Sequence, residues 1–413
     1  MSLAQILEKR IPLEPAPLKR CLVDPLRKLS IALVCHSYPP VVGGSEIEAQ
    51  RVSAALQKRG HRVEILCCGG PPMPNQSRWI DPVGVPVRQF GNRWPARIRD
   101  HIYALGVAWT LAIRARQYDA VYFLMSGLHL ATGLPVARLM RMPVIMKFSG
   151  SSLILHLTKS RLGRLELALL RRWARRILVL NDGMREEAAQ AQLDPERLMW
   201  MPNPVDLEEF CPLETAAKST LRKQLGLSPD AQVIIYVGRL APEKELGSLL
   251  RAFQQIAPAY PQAVLVLVGN GPSRQNLEET VSKLGLGNQV RFTGMVPVAD
   301  VPKWLQAGDL FALVSSLEGL PCSLIEAMSA GLPAVTSDIP ANLQLLEPGK
   351  NGFTARLLDE AEIAAGMSRL LGDVALRKQM GEYARSSVAR FSTERVADVY
   401  EDLFRDLVDE RVP

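Results

Sequence analysis

The chain has 413 residues, 47% of them hydrophobic and 22% charged. This excludes a disordered chain or a single small core, and it predicts two domains of about 200 residues each. The net charge of +7 divides unevenly: residues 1–205 carry 29 Lys and Arg against 15 Asp and Glu, a net +14, whereas residues 206–413 carry 20 against 27, a net −7. The two halves are therefore expected to face different partners.

The predicted elements begin after a Pro- and charge-rich extension, residues 1–28. Short β-branched runs then alternate with longer helical stretches, which is typical of βαβ units around a parallel sheet. This first domain is predicted to cover residues 29–204. Its predicted strands are Ile31–Cys35, Val63–Cys67, Ala120–Leu124, Val144–Lys147 and Ile177–Leu180.

The same rhythm restarts after the hinge-like segment Pro202–Asp206. Strands are expected near residues 233–237, 263–268, 290–292, 310–314 and 334–336. A second domain is therefore predicted over residues 205–392, followed by a C-terminal segment, 393–413, with a helix over Thr393–Val408. The fold class is α/β, with two Rossmann-like, doubly wound parallel-sheet domains facing a central cleft.

The segment from Glu318 to Gly331 has the signals of a loop that enters a short helix. Pro321 suits the first helical position and Gly331 suits the C-terminal cap. The backbone N–H groups of a first helical turn favour anions, phosphate above all. Glu318 and Glu326 would repel a phosphate, so we interpret them as acceptors for sugar and ribose hydroxyl groups.

Two further loops follow predicted strands. Gly238–Lys244 directly follows the run 233–237 and carries two cations, Arg239 and Lys244, which suit a diphosphate. The turn Gly269-Asn270-Gly271 ends the next strand. Carboxyl ends of strands are where open α/β sheets bind ligands, so the three loops predict one site.

Together these motifs resemble family 4 glycosyltransferases, the retaining, nucleotide-sugar-dependent group with the two-domain GT-B fold. The resemblance runs from about Ile31 to about Leu407 and includes Gly43-Gly44 after the first strand and Arg59–Val63 before the second. In that family the C-terminal helix crosses back onto the first domain. The paired glutamates together with the Arg-Lys loop are its most specific part.

The resemblance implies a role for each matching position. Arg239 and Lys244 would hold the diphosphate, aided by amides of the helix that begins near Pro321 and Cys322. Glu318, with the amides of Gly319 and Leu320, would hold the donor sugar, and Glu326 would accept from the ribose. Gly43 and Gly44 would let the first domain's backbone approach the phosphates. Asn270 and the turn 294–296 lie where the family places ribose and base.

One departure concerns a histidine that many relatives carry after the third strand of the first domain. This chain has Met125-Ser126-Gly127 there, and His129 follows shortly after. Either His129 reaches the donor sugar as a catalytic residue, or backbone groups with Ser126 or Ser149 take that place, and His129 is a packed histidine. His36, after the first strand, is a second candidate.

The sequence contains no Asp-x-Asp pair, the metal-binding pattern of the other main glycosyltransferase fold. Because Arg239 and Lys244 supply positive charge instead, we expect transfer that needs no metal and no cofactor, the nucleotide sugar being a substrate. The six cysteines are scattered without a metal-ligand spacing.

The segment Lys159–Arg176 combines leucines with seven cations. A basic amphipathic helix suits an anionic membrane surface, although a core helix with a solvated face fits the same pattern. The +14 charge favours peripheral membrane contact and a glycan or lipid-linked acceptor, with no nucleic acid as partner. The first ten residues are too charged for a secretory signal, so the expected location is the cytoplasm, at the inner face of the plasma membrane.

The leading hypothesis is transfer of a hexose-type sugar from a UDP- or GDP-sugar in surface polysaccharide or glycoconjugate biosynthesis. A catalytically silent GT-B protein that binds nucleotide and serves as an assembly partner is the alternative, motivated by the missing histidine. A sugar-nucleotide epimerase or a phosphorylase on the same fold is a third hypothesis.

Overall fold

The computed structural model describes residues 27–41, 43–70 and 74–409. The chain divides into two compact units, one formed by residues 1–204 together with 393–413 and the other by residues 205–392. Most of the predicted extension, residues 1–26, lies outside the described residues. None of the helices within the described ranges combines the length and the apolar character that a membrane span requires.

The first unit is built on an eight-stranded sheet with the order β3-β4-β2-β1-β5-β6-β7-β8. Every neighbouring pair is parallel except β3 and β4, which are antiparallel. The strands are β1 Ser30–Cys35, β2 Arg62–Cys68, β3 Arg78–Ile80, β4 Pro86–Phe90, β5 Ala120–Leu124, β6 Val144–Lys147, β7 Arg176–Val179 and β8 Leu198–Trp200.

Helices connect these strands, as parallel pairing requires. In the described part of the unit they are α1 Gly44–Lys58, α2 Ala96–Ile113, α3 Leu128–Leu139, α4 Leu153–Thr158, α5 Arg161–Trp173, α6 Asp182–Gln190 and, from the C-terminal segment, the last helix of the chain, Thr393–Asp409. Five uninterrupted buried residues in β5 show a strand covered on both faces, as expected inside a parallel α/β sheet.

The last helix, Thr393–Asp409, is part of the core of the first unit. Its buried residues join one cluster with the sheet residues of β1, β2 and β5. Tyr400 donates to or accepts from Tyr122 of β5 at 2.9 Å between their hydroxyl oxygens. The buried residues that the helix contributes to the cluster are Val396, Tyr400, Leu403, Phe404, Leu407 and Val408.

A buried ion pair lies in the same unit. The Lys147 ammonium at the end of β6 contacts the Glu48 carboxylate of α1, and both side chains are at most 1% exposed. Lys147 Nζ also donates to Asn203 Oδ1 at 3.2 Å, and Glu48 Oε1 accepts from the Tyr400 hydroxyl at 2.8 Å. This network joins α1, β6, the segment before residue 204 and the last helix.

The second unit has a six-stranded parallel sheet with the order β11-β10-β9-β12-β13-β14. Counted from its own first strand this order is 3-2-1-4-5-6, the Rossmann arrangement. The strands are β9 Gln232–Val237, β10 Ala263–Val268, β11 Val290–Gly294, β12 Leu310–Leu313, β13 Ala334–Ser337 and β14 Gly352–Ala355.

The helices of the second unit follow the same alternation. They are α7 Thr215–Gln224, α8 Leu246–Ile256, α9 Arg274–Lys283, α10 Val301–Ala307, α11 Cys322–Ser329, α12 Pro340–Leu343, α13 Glu360–Gly372 and α14 Val374–Val388, so that the last helix of the chain, Thr393–Asp409, is α15.

The observed helix is shorter than the basic segment Lys159–Arg176 that the sequence predicts. Helix α5 begins at Arg161 and ends at Trp173, and Arg176 already belongs to β7. The helix therefore carries four of the seven cations. Arg171, one of the four, donates from Nη2 to the carbonyl of Ala191 at 2.9 Å, which ties it to the end of α6. The helix itself thus presents four exposed arginines, Arg161, Arg164, Arg171 and Arg172, in place of the seven cations of the predicted segment.

Candidate active site

The candidate site of the second unit lies where the strand order reverses. β9 pairs with β10 on one side and with β12 on the other. The chain leaves β9 towards one side and enters β12 on the other, so a crevice forms beyond their carboxyl ends. The loop after β9 carries Arg239 and Lys244, and the loop after β12 carries Glu318. The three loops predicted to form one site therefore begin at adjacent strands.

Two contacts join the loops after β9 and β12. Lys244 Nζ donates to Glu318 Oε1 at 2.7 Å, with side chains 18% and 11% exposed. The backbone N–H of Ser316 donates to the carbonyl of Glu243 at 2.9 Å. The structure thus brings the predicted phosphate-binding lysine and the predicted sugar-binding glutamate into direct contact. The carboxylate fixes the position of the ammonium group, while the remaining N–H bonds of the ammonium can serve an anion.

Arg239 occupies a different environment. Its side chain is 65% exposed and pairs with Glu243 Oε1 at 2.5 Å. The carbonyl of Arg239 accepts from the Tyr236 hydroxyl at 2.9 Å, so the backbone of the residue is fixed while its guanidinium is on the surface. An exposed pair of this kind contributes little to stability, so exchanging Glu243 for a phosphate costs little.

Helix α11 follows Glu318 and begins at Cys322. Pro321 takes the N-cap position, one residue before the predicted one, and has no side-chain acceptor for the first turn. At the other end Gly331 has φ +76°. The N–H of Leu332 donates to the Ala327 carbonyl and that of Gly331 to the Met328 carbonyl, both at 3.0 Å, which completes a Schellman cap as the glycine predicts.

The residues around the start of α11 differ in exposure. Leu320 is 4% exposed and Pro321 is buried, so their side chains belong to the core and only their backbone can face a ligand. Gly319, Cys322 and Glu326 are half-buried. Glu326 is on the second turn of the helix, the position that the resemblance assigns to ribose binding.

The turn Gly269-Asn270-Gly271 has a packing reason for its glycines. A Cβ at Gly269 would lie 2.0 Å from the carbonyl oxygen of Gly238, and one at Gly271 would lie 2.3 Å from that of Leu240. Asn270 is exposed, and its Oδ1 accepts from the N–H of Gly271 at 2.9 Å. The turn therefore packs directly against the loop that carries Arg239 and Lys244.

Gly43 and Gly44 begin helix α1 in the first unit. Gly43 is the N-cap residue with an extended backbone, φ −167°, so its conformation does not itself require glycine. A Cβ there would lie 2.4 Å from Glu46 Oε2. The Glu46 carboxylate also accepts from the hydroxyls of Ser37 and Ser45, and a side chain at position 43 would require this carboxylate to shift. Gly44 is exposed at the first turn of the helix.

His129 is a packed side chain. It is 2% exposed and its ring lies 5.0 Å from that of Tyr103, centroid to centroid. Burial lowers its pKa to about 4, so the imidazole is neutral at physiological pH. Its Nε2 lies 3.3 Å from the carbonyl oxygen of Met125. Of the two roles that the sequence left open for His129, this placement favours the packed histidine.

The loop Met125-Ser126-Gly127 has an unusual backbone. Met125 has φ +76° and Gly127 has φ +147°, and a methionine in the left-handed region is strained. The N–H of Gly127 donates to Glu166 Oε2 at 3.2 Å. Glu166, on the buried face of α5, is 1% exposed, and burial raises its pKa to about 7. A buried carboxyl group therefore supports the loop that replaces the family's histidine.

Glu166 is expected to make the stability of the protein depend on pH. Its pKa is near the ordinary value in the unfolded chain and about 7 in the folded one. The folded state therefore binds the proton more tightly, and the contribution of Glu166 is lost as pH rises from about 4.5 through 7. We expect Glu166→Gln to raise the free energy of unfolding at pH 8 by about 1–2 kcal/mol and to leave it nearly unchanged at pH 4.5.

Urea unfolding at both pH values checks this, with Glu186→Gln, on the neighbouring helix α6, as the control. Equal effects of Glu166→Gln at the two pH values would contradict the assignment.

Sequence reasoning missed three residues of these sites: Glu243, Ser316 and Glu166. Glu243 is a charged loop residue, and nothing in the sequence around it predicts a pair with Arg239. Ser316 contributes its backbone N–H, which no residue type reveals. For Glu166 a signal existed, because it lies three residues after Gly163 and four before Leu170, a spacing that places it on the buried face of the amphipathic helix.

Comparison with known proteins agrees with the fold. Residues 217–387 match the family Glycosyl transferases group 1, and residues 42–209 match Glycosyltransferase Family 4. The two matched segments together cover most of the chain, which therefore belongs to the group 1, family 4 glycosyltransferases, a family of sugar-transferring enzymes.

Among curated relatives, an alpha-D-kanosaminyltransferase of Streptomyces kanamyceticus is 30% identical over 57% of this chain and 61% of its own length. A UDP-Gal:alpha-D-GlcNAc-diphosphoundecaprenol alpha-1,3-galactosyltransferase of Escherichia coli is 29% identical over 59% of this chain and 63% of its own. The chain thus spans less than two thirds of the length of either relative.

A solved structure of Anabaena HepE in complex with UDP-glucose superposes with a TM-score of 0.73 at 22% identity, covering 90% of this chain and 98% of that chain. The likeness establishes that the architecture is that of GT-B glycosyltransferases, two mainly parallel sheets with helices.

Proposed function

We propose that the protein is a retaining, metal-independent glycosyltransferase. It moves a hexose-type sugar from a UDP- or GDP-sugar to a glycan or lipid-linked acceptor in surface polysaccharide or glycoconjugate biosynthesis. The observation that carries the proposal is the contact of Lys244 with Glu318, 2.7 Å apart at the strand-order reversal of the second unit. A cation and a carboxylate fixed together suit a ligand that has a phosphate next to sugar hydroxyls.

In the proposed reaction the bond between the sugar's anomeric carbon and the β-phosphate oxygen breaks, and the acceptor oxygen bonds to that carbon. The electron pair of the broken bond stays on the diphosphate, which also takes the proton of the acceptor hydroxyl. Negative charge grows on the phosphate as the bond lengthens, and fixed positive groups stabilise it there. Lys244 and Arg239 have this role, and the backbone N–H groups at the start of α11 assist.

The carboxylates bind hydroxyl groups in the same scheme. Glu318, held by Lys244, accepts from the donor sugar with the amides of Gly319 and Leu320 beside it. Glu326, four residues after Cys322, accepts from the ribose. Names of similar proteins support the proposed classes of donor and acceptor: the Anabaena structure contains UDP-glucose, and the E. coli relative is named for a UDP-galactose donor and a lipid-linked acceptor.

The deciding experiment is a thermal-shift panel of UDP-, GDP-, ADP- and TDP-sugars on wild type, Lys244→Ala and the control Lys350→Ala. Lys350 is an exposed lysine of the same unit that also pairs with a glutamate. A ligand at about 100 times its Kd stabilises by about 2.7 kcal/mol. We expect one nucleotide sugar to stabilise wild type and Lys350→Ala but not Lys244→Ala. Stabilisation without turnover towards any acceptor would favour the catalytically silent alternative, and no stabilisation at all would contradict the donor site.

Metal independence has its own test. We expect full transfer activity in excess chelator, because two protein cations take the place of a metal at the diphosphate. Activity that vanishes in chelator and returns with Mg²⁺ or Mn²⁺ would contradict this. Arg239→Ala is the companion variant. If only this variant requires added Mg²⁺, the Arg239 guanidinium is the group that takes the place of a metal ion at the diphosphate.

We also propose that the first unit contacts an anionic membrane surface. The apolar side chains of this surface are on α2 and at the end of α3, and not on the basic helix that the sequence predicts. Leu105, Trp109 and Ile113 are 62%, 67% and 59% exposed, and at i, i+4 and i+8 they form one stripe. Leu139 at the end of α3, which packs on α2, is 75% exposed. Exposed arginines near these helix ends include Arg116, Arg138 and Arg141.

Such a combination of apolar and basic side chains favours binding to anionic lipid. We expect the protein to co-sediment with anionic vesicles at low salt, less at high salt and not with zwitterionic vesicles. Trp109→Ser should weaken binding by about tenfold, whereas Val374→Ser, an equally exposed residue of the second unit, should not. Equal binding by the two variants, or none by wild type, would refute the surface.

A further inference from the structure

Three potential metal ligands meet at the edge of the first unit's sheet. His36 directly follows β1, Cys68 ends β2, and Asp100 is in the first part of α2. His36 Nε2 lies 3.2 Å from Asp100 Oδ1, and Cys68 Sγ lies 3.8 Å from the same oxygen. One ligand atom from each residue falls within 4.8 Å of the others.

The fold explains why these residues meet. β1 and β2 are parallel neighbours with Cys35 opposite Cys67, so the next residues, His36 and Cys68, are adjacent as well. The N–H of Cys68 donates to the carbonyl of His36 at 3.0 Å. Because side chains alternate along a strand, Cys67 faces the core cluster while Cys68 faces the other side of the sheet, where α2 packs on β2.

Two of the distances between ligand atoms are close to those of a tetrahedral site. Zinc bonds of about 2.0–2.3 Å to N, O and S place two ligand atoms of a tetrahedron roughly 3.3–3.7 Å apart. The distances from Asp100 Oδ1 to His36 Nε2 and to Cys68 Sγ, 3.2 Å and 3.8 Å, lie just outside the two ends of that range. A thiolate and a carboxylate together match the charge of a divalent ion, and the imidazole completes a ligand set that zinc prefers over magnesium or calcium.

A neighbouring side chain holds the imidazole. The Tyr103 ring packs edge-on against His36 with the centroids 5.9 Å apart, and the Tyr103 hydroxyl donates to the carbonyl of Cys35 at 2.7 Å. His36 is 50% exposed at its side chain and Asp100 is 61% exposed, so an ion can enter from solvent. Cys68, 5% exposed, forms the inner wall.

From this geometry we propose that His36, Cys68 and Asp100 form a binding site for a tetrahedral divalent transition metal ion of the zinc class. Three protein ligands leave a fourth position for water or for an oxygen of a bound molecule. The site is in the first unit, whereas the donor residues Lys244 and Glu318 are in the second. Its three ligands are therefore different residues from the two that are proposed to bind the diphosphate and the donor sugar.

The test uses Co²⁺ as a spectroscopic probe on the reduced, tag-free full chain after chelator treatment. Binding of Co²⁺ through a thiolate gives a sulfur-to-cobalt charge-transfer band in the near ultraviolet. We expect this band to saturate at one equivalent of Co²⁺, to be displaced by Zn²⁺, and to be lost in Cys68→Ser. His36→Asn and Asp100→Asn should weaken binding at least about tenfold.

Matched controls come from the same chain. His101→Asn changes the exposed residue next to Asp100 on the same helix, and Cys211→Ser removes a half-buried thiol of the second unit; both should bind as wild type does. If Cys68→Ser does not fold, the two exposed variants His36→Asn and Asp100→Asn carry the test. No band at one equivalent, a band that persists in Cys68→Ser, or unchanged affinity in both exposed variants would overturn the proposal.

Discussion

Replacing Lys244 with alanine is expected to lower kcat/KM for sugar transfer by about 10²–10³, because the variant loses a fixed cation where charge develops on the leaving diphosphate. The loss should appear in donor binding as well as in turnover, since the ammonium also meets the ground-state diphosphate. Steady-state kinetics with the donor identified by the nucleotide panel measures both quantities.

The fold should tolerate this change. The Lys244–Glu318 pair is half-buried, with 18% and 11% of the two side chains exposed, so its loss is expected to cost about 1–3 kcal/mol of unfolding free energy, between the costs for an exposed and a buried pair. Lys350→Ala, which breaks a similar pair away from the loops, controls for loss of charge. A Lys244→Ala enzyme within about fivefold of wild type would contradict the assigned role.

The second large effect is expected at the buried pair of the first unit. Lys147→Met should lower the free energy of unfolding by about 3–5 kcal/mol, because it leaves the Glu48 carboxylate buried without its cation. The Lys147 side chain has no exposed surface and that of Glu48 has 1%, so solvent cannot replace the lost partner. Chemical unfolding followed by circular dichroism measures the change.

A double-mutant cycle separates the ion pair from general packing. Glu48→Leu combined with Lys147→Met removes both charges and keeps similar volumes, so the double variant should be more stable than Lys147→Met alone. The Tyr400 hydroxyl loses Glu48 as a hydrogen-bond partner in the double variant and retains only Tyr122 among the described residues, which keeps the stability of the double variant below that of wild type. If the two single changes simply add, the two charges are not coupled as the structure indicates.

Much of the fold was predictable because buried parallel strands are short, uninterrupted apolar runs. β5, β6 and β10 have the predicted bounds, and the remaining predicted strands differ by one or two residues at their ends. Four short strands were not predicted: β3, β4, β8 and β14. β4, Pro86–Phe90, alternates buried and exposed residues over only five positions, and β3 and β8 have three residues each, too few for a period to be recognised.

For the site, the sequence predicted which loops matter but not how their side chains pair. Arg239, Lys244 and Glu318 were named from residue type and order along the chain, which the strand order then brings to adjacent positions. Lys244 and Glu318 are 74 residues apart in the sequence. Their contact depends on the direction in which each side chain points, which no local sequence pattern reveals. The backbone of Glu245 was also not predictable: its φ is +51°, in the left-handed region that favours glycine, although the residue is a glutamate.

The ligands of the proposed metal site could also not be recognised from the sequence. Ligand spacing in a sequence reveals a site when the ligands are on one loop or one helix. His36, Cys68 and Asp100 are 32 residues apart at each step and come from the residue after β1, the end of β2 and helix α2. Only the pairing of β1 with β2 and the packing of α2 on β2 bring them together.

Helix α15 gives the chain an order of events during synthesis. The strands β1 to β8 leave the ribosome first, yet six residues of their core, from Val396 to Val408, are translated only after all of residues 205–392. The second unit is continuous and can complete its core while the first still exposes an apolar surface. A premature stop codon after Ser392 would therefore spare the unit made last and damage the unit made first.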